Sequence, residues 1–358
     1  MPLYVTPDVP TTETATGGTL LPWQIFRYES AGPSYTLELT VPGDPHIDGI
    51  HKMDEPGDWL LSIEAPNDLG GSLAVAAEPR DVIHFDSRAA AYGVFFCGGA
   101  AGIPVETNVD ALYLEGGDAG NLIVSFDVPT ELPPGSGTLY EPGDLVRFEP
   151  SGGLGCAAWV LSASNPAFDA TGPGVVPSTD NIIGADGGLG QTILSVDVPS
   201  DLAPSVGPAT YVPGQLVSWD GTNFSLFEPL IGWPLSSLVD GVACLANPGR
   251  IPPTITLGRA GPADITVTWS ASCAEGGEDY GIYEGTIGNW YSHTSFICED
   301  GGAPLTETFT PSAGDTYYVV VSLNAKVEGS YGQDSNGTER PVGSAVCVSR
   351  QVVTPCPP

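Results

Sequence analysis

Four aspartates recur in one local context. The runs Ile47–Ile50 (IDGI), Val109–Leu112 (VDAL), Thr179–Ile182 (TDNI) and Val239–Val242 (VDGV) share Asp48, Asp110, Asp180 and Asp240. They return at intervals of roughly 60–70 residues, a spacing typical of repeat architectures. In the third run Asn181 could take the place of Asp180. Carboxylates brought together repel unless a cation or hydrogen bonds offset them. Hard oxygen donors of this kind suit Ca²⁺, which makes the four a candidate cation site. A second reading stands beside it: each Asp caps a strand turn by accepting backbone N–H bonds. The chain has no DxDxDG loop of the kind that marks a calcium site, which favours the capping reading.

Other chemistry has thinner support. The chain has only four His, and no G-x-S-x-G elbow is present. His46 and His51 flank Asp48, so a His/Asp cluster is conceivable there; in a fourfold repeat a feature confined to one copy reads more simply as loop variation. Trp290-Tyr291, in the loop IGNWYSH, is the best candidate for stacking on a ligand. The seven Cys form no CxxC and no Cys/His cluster, which argues against zinc. No catalytic residue is assigned, and the chain reads as a non-enzyme.

The elements that carry these residues repeat too. Asn121–Glu149 holds two short apolar runs separated by a Pro/Gly/Ser loop and bounded by Pro129, Pro142 and Pro150, the punctuation of strands. LYVTPDVP with LPWQIFRYE, WLLSIEAP with EPRDVIHFD, and TILSVDVP with VPGQLVSWD repeat the pattern. Asp8, Glu64, Asp127 and Asp197 each sit two residues before the first proline, where turn chemistry is the simplest reading. An aromatic-rich run follows each second strand, and the x-Asp-x-apolar run precedes each first one. Four strands in about 60 residues resemble one blade of a β-propeller, and the Asp-bearing strands would line its channel. The chain begins on a second strand at Leu3 and ends the repeats on a lone first strand at Val239–Leu245. This resembles propeller ring closure, with residues 239–245 joining residues 3–40 to complete four blades and leave no unpaired edge. Residues 1–248 are therefore expected to form a four-bladed propeller. The alternatives are a piece of a larger ring and an open solenoid.

Past a short Pro-marked linker the sequence remains all-β. DITVTWS carries Trp269, and TPSAGDTYYVVVSLNA places Thr-Tyr-Tyr before an apolar strand, similar to the tyrosine corner of sandwich domains. Residues 254–349 thus resemble a fibronectin type III-like sandwich, with residues 350–358 as a tail. The whole is similar in architecture to secreted bacterial β-propeller repeat proteins with such a C-terminal domain. The resemblance implies an extracellular binding or structural role.

Bulk composition narrows the partners. Net charge is −33, with 43 Asp+Glu against 10 Lys+Arg, a field that repels nucleic acid and anionic membrane surfaces. No apolar run is long enough to span a bilayer. The start, MPLYVTPDVP, fits a repeat strand and lacks the basic flank and apolar core of a signal peptide. Scattered cysteines in an acidic, Gly/Pro-rich chain suggest an oxidising compartment. The expected pairs are Cys273–Cys298, Cys97–Cys156 and Cys347–Cys356, with Cys244 a buried thiol. The function expected from all this is a secreted, non-catalytic structural or adhesive surface protein that assembles into a filament or matrix. Its partners would be itself, another extracellular protein or a glycan, and Val352 and Val353 of the tail are candidate assembly residues. The rivals are a carbohydrate-active enzyme using carboxylates on separate blades, and a carbohydrate- or protein-binding module.

Overall fold

The computed structural model describes residues 2–14, 17–29, 34–53, 57–69, 76–115, 118, 120–151, 159–168, 181–187, 192–202, 204–206, 210–227, 230, 232–235, 237–244, 249–252, 254–272, 279–298, 305–323, 327–334, 337–348 and 351. Among them every regular element is a strand. The chain divides into two compact units, Pro2–Cys244 and Leu245–Pro358.

Among the described residues, the N-terminal unit has sixteen main strands. These are β1 (Pro2–Pro7), β2 (Gln24–Glu29), β3 (Tyr35–Thr40), β4 (Ile47–Lys52), β5 (Trp59–Ile63), β6 (Val82–Asp86), β7 (Ala91–Phe96) and β8 (Val109–Glu115). They continue with β9 (Asn121–Phe126), β10 (Val146–Pro150), β11 (Trp159–Leu161), β12 (Ile182–Asp186), β13 (Thr192–Val196), β14 (Val217–Trp219), β15 (Phe224–Leu226) and β16 (Val239–Cys244). Three sheets follow chain order: β4-β5-β6-β7, β8-β9-β10-β11 and β12-β13-β14-β15, the last with Ser205–Val206 added parallel to β15. The remaining sheet is β16-β1-β2-β3, in which the latest strand pairs antiparallel with the earliest, Leu3 opposite Cys244 and Val5 opposite Val242. The first strands neighbour one another in a cycle: β4 lies against β8, β8 against β12, β12 against β16, and β16 against β4.

Apolar side chains fill the space between successive sheets. One cluster joins Leu60, Val82 and Phe96 to Leu112, Leu122 and Phe148; another joins Ala111 and Ile123 to Leu194, Tyr211 and Phe224. The first strands are buried on both faces, as four facing sheets require. A bulge recurs at the same place in each. Ile47 pairs Ile63, but the next pair is Ile50 with Leu61; Val109 pairs Phe126, but the next is Leu112 with Val124. Ile183 and Asp240 are the extra residues in the other two strands. A bulge inserts one unpaired residue and re-aims its side chain.

The bulge also brings the backbone close to the second strand. A Cβ at Gly49 would meet Ser62 Oγ at 2.6 Å, and one at Gly184 would meet Ser195 Oγ at 2.4 Å. The hydroxyls then reach to the next sheet: Ser125 Oγ donates to Ile182 O at 2.7 Å and Ser195 Oγ to Val239 O at 2.6 Å. Neighbouring sheets are thus stapled by buried serine hydrogen bonds as well as by packing.

The C-terminal unit adds β17 (Thr256–Arg259), β18 (Ile265–Thr268), β19 (Asp279–Thr286), β20 (Thr294–Ile297), β21 (Thr306–Phe309) and β22 (Thr316–Leu323). They form two three-stranded sheets, β17-β18-β21 and β20-β19-β22. Val267, Trp269, Tyr280, Ile282 and Val320 pack together. The other face of β19 and β22 carries Tyr283, Val319 and Val321, which Tyr331 and Cys347 cover. Glu328 anchors this covering segment. Its buried carboxylate accepts from Tyr283 Oη, from Tyr331 Oη at 2.5 Å, and from the N–H groups of Cys347 and Val348, each at 2.8 Å.

Two expectations are corrected here. Cys298 bonds Cys347, in place of the expected Cys273–Cys298 and Cys347–Cys356 pairs. The reason is local: Ser295 N donates to Ala345 O at 3.0 Å, so the 340s segment runs beside β20 and brings Cys347 to the end of that strand. Cys97 is also disulfide-bonded, and Cys244 is a buried thiol. Cys156, Cys273 and Cys356 lie outside the described residues. The tyrosine-corner likeness also gives way in detail. Tyr318 Oη donates to Glu284 Oε2 at 2.8 Å and Tyr317 Oη meets His293 Nδ1 at 3.2 Å, both side chains rather than upstream backbone.

Candidate functional site

The N-terminal ends of the four first strands meet at a pocket of about 430 Å³. Asp48, Asp110 and Asp240 reach it from the bulge positions of β4, β8 and β16. The fourth such position is Ile183, which lines the same pocket. Asp180, the expected fourth member, lies outside the described residues; β12 begins at Ile182, and its register gives the bulge position to Ile183.

The residue two before the bulge faces the mouth as well. It is His46, Asn108 and Asn181 in the first three copies. Asn108 Nδ2 donates to Asp48 Oδ2 at 2.7 Å and to Asp110 Oδ1 at 3.1 Å. Asn181 Nδ2 donates to Asp110 Oδ2. The second acidic series arrives across each bulge. Asp127 Oδ1 accepts from Asn108 N at 2.7 Å and Asp197 Oδ1 from Asn181 N at 3.0 Å, so in this second series carboxylates cap backbone N–H groups. Asp8, Glu64 and Asp127 also line the pocket. Reading them as turn residues alone missed this. The signal was available, because Thr6, Ser62, Ser125 and Ser195 each stand two residues before that acidic position. The hydroxyl and the acidic side chain therefore share one face of the strand.

His46 sits among four carboxylates. Its Nδ1 lies 2.8 Å from Glu64 Oε2, in an ion pair without hydrogen-bond alignment, and 3.5 Å from Asp48 Oδ1. Its Nε2 lies 3.4 Å from Asp8 Oδ1 and 3.7 Å from Asp240 Oδ2, and it also meets Asp8 O. The nearby Asp48 carboxylate is the largest single cause raising the imidazole to about 10; burial opposes it, and Asp8 and Asp240 add to it. His46 is therefore a cation at neutral pH. Burial, with the charges of Asp48 and Asp8, pushes Asp240 up to about 9 against a partial offset from His46. Burial also holds Asp110 well above the usual carboxylate range and raises Asp48, which His46 and Asn108 partly restore. Asp240 is only 5% exposed, and its Oδ2 has no hydrogen-bond partner. Asp8, His46 and Asp240 offer atoms within 4.8 Å of one another that could ligate a metal.

His51 does not join this cluster. It is buried at the far end of β4, with Nδ1 3.8 Å from Asp186 Oδ1. Trp290 and Tyr291 belong to the C-terminal unit, where they are 62% and 48% exposed beside Tyr317. Val352 and Val353 lie outside the described residues.

No protein-family profile and no curated protein matches this chain. Among solved structures it is similar to the chicken CNTN1 FN1-FN3 domains, at 12% identity over 80% of this chain and 94% of that one, with a TM-score of 0.24. It is also similar to the extracellular domain of the hybrid two component system BT4673 from B. thetaiotaomicron, at 9% identity over 93% and 44%, with a TM-score of 0.23. At such scores neither likeness bears on function.

Proposed function

We propose that this protein is an extracellular, non-catalytic surface or matrix component. In this reading the N-terminal unit is a four-bladed propeller closed by β1 and β16. A histidinium–carboxylate cage locks its channel mouth. The C-terminal unit is a fibronectin type III-like sandwich, a second building block. The observation that carries the reading is the pairing of β1 with β16. It completes the fourth sheet, so the outer strands β3, β7 and β11 and the chain ends are left for contacts. Leu37 on β3 and Val160 on β11 are half exposed there, an apolar element on edges that a second chain could extend.

The cage supports the non-catalytic part. A histidine held as a cation at neutral pH is spent as a general base. It supplies the positive charge that Ca²⁺ would otherwise bring to these carboxylates. At −33 per chain, assembly works against like-charge repulsion, so salt should promote it. The test is light scattering and electron microscopy of concentrated protein across NaCl and CaCl₂, beside a polysaccharide hydrolysis assay. Filaments, sheets or adhesion to a surface support the reading. A chain that stays monomeric throughout while cleaving a polysaccharide replaces it with a glycosidase in which protonated Asp240 is the acid.

A further inference from the structure

A groove of about 700 Å³ runs along β22 in the C-terminal unit. Trp290, Tyr291, Tyr317, Gln333, Arg250 and Arg340 line it. The aromatic wall is built to stay exposed. Tyr317 lies opposite Gly285 on β19, and a Cβ at Gly285 would fall 2.4 Å from the Tyr317 ring, so the ring lies across the glycine. Its hydroxyl is fixed by His293, whose Nε2 meets Pro341 O at 3.0 Å. A carbonyl only accepts, so Nε2 carries the proton and Nδ1 accepts from Tyr317 Oη. Burial and nearby Arg340 keep this histidine below its usual range, which favours that neutral form.

Trp290 packs at 5.4 Å and 45° from Tyr317, which leaves ring face uncovered. The turn that presents it is closed by Asn289 N to Thr286 O at 3.1 Å and Thr286 N to Ser292 Oγ at 3.0 Å. Tyr291 holds a left-handed backbone, φ 70°, a conformation that costs a non-glycine residue about 1 kcal/mol or more and clusters at binding sites. An exposed, pre-set tryptophan with two tyrosines is a stacking surface for the C–H faces of sugar rings, each ring polar at its rim.

Charge selects among sugars. The chain has 10 basic residues against 43 acidic ones, yet two arginines line this one groove. Among the described residues Arg340 makes no ion pair. Its guanidinium donates to Tyr331 O at 3.4 Å, while its backbone is pinned to Gly332 O at 2.9 Å. A guanidinium held without a carboxylate, in so acidic a protein, is complementary to a carboxylate brought by the ligand. We propose that this groove binds an acidic polysaccharide, with Trp290, Tyr291 and Tyr317 stacking on uronic-acid rings and Arg340 pairing with a ring carboxylate. The site goes beyond the assembly reading and stands on the C-terminal unit alone.

The experiment uses the full chain and titrates in oligogalacturonate, alginate oligomers and hyaluronan oligomers, with methyl-esterified oligogalacturonate as the uncharged control. Binding is followed by calorimetry and by tryptophan fluorescence. At least one acidic oligomer should bind, at least tenfold tighter than the neutral control. Trp290→Ala should abolish binding. Arg340→Gln should remove the preference for the charged ligand while leaving weak binding to the neutral one, and both variants should melt as the parent does. Equal affinity for charged and esterified oligomers, binding unaffected by Trp290→Ala, or no binding by any of the three acidic glycans overturns the proposal. Because the readout is soluble-ligand binding, failure here leaves the assembly test untouched.

Discussion

Replacing His46 with glutamine tests the cage most directly. The change keeps a polar side chain and removes the charge facing Asp8, Asp48, Glu64 and Asp240. A rise of the imidazole from 6.5 to about 10 corresponds to at most roughly 4–5 kcal/mol, at about 1.4 kcal/mol per tenfold change in proton affinity. The ring is 21% exposed and Glu64 is 63% exposed, so solvent screens part of it; about 2–3 kcal/mol is the expected loss. For a unit of this size that lowers Tm by roughly 5–10 °C. The sign with pH is fixed. A histidine raised in the folded state contributes fully below its unfolded value and loses that contribution as pH climbs through the folded one. The penalty of His46→Gln should therefore be largest near pH 6 and fade toward pH 10. CaCl₂ should stabilise the variant more than the parent, because the carboxylates have lost their internal cation. Scanning calorimetry of the intact chain at several pH values, with and without CaCl₂, measures all of this. A variant that melts within a degree of the parent at pH 6, or a penalty that grows toward pH 10, refutes the cage.

Three further outcomes follow from the same contacts. The parent's N-terminal unit should lose stability as pH rises from about 5 to 9, because raised Asp240 and His46 both make the folded state bind more protons than the unfolded chain; a melting temperature that climbs over that window contradicts this. Removing residues 2–10 should abolish cooperative melting of that unit and cause aggregation, since β16 loses its strand partner and β2 one of its two; an unchanged calorimetric transition counts against closure. Glu328→Ala should cost about 3 kcal/mol in urea unfolding, because two tyrosine hydroxyls and two backbone N–H groups lose a buried acceptor; a loss under 1 kcal/mol would show that water replaces it.

The sequence by itself determined the all-β character and where the strands fall. Pro and Gly bound each run, and β-branched and aromatic residues fill it; these are local preferences, legible without a partner. It also marked Asp48, Asp110 and Asp240, since a residue type repeated in register is visible before any fold is known. Register inside the strand was not legible. Asp180 precedes Ile182 as plausibly as Asp48 follows Ile47, and only the pairing of Ile182 with Val196 gives the bulge to Ile183. The cage was hidden for the same reason. Asp8, Glu64 and His46 are dispersed along the chain, and antiparallel pairing across a bulge is what folds two acidic series onto one mouth. Whether a carboxylate is a solvated turn residue or a buried acid depends on how many neighbours exclude water, and that is a property of the assembled sheets. The Cys298–Cys347 bond is of this kind too: the spacing of cysteines allows many pairings, and the run of the 340s segment beside β20 selects one.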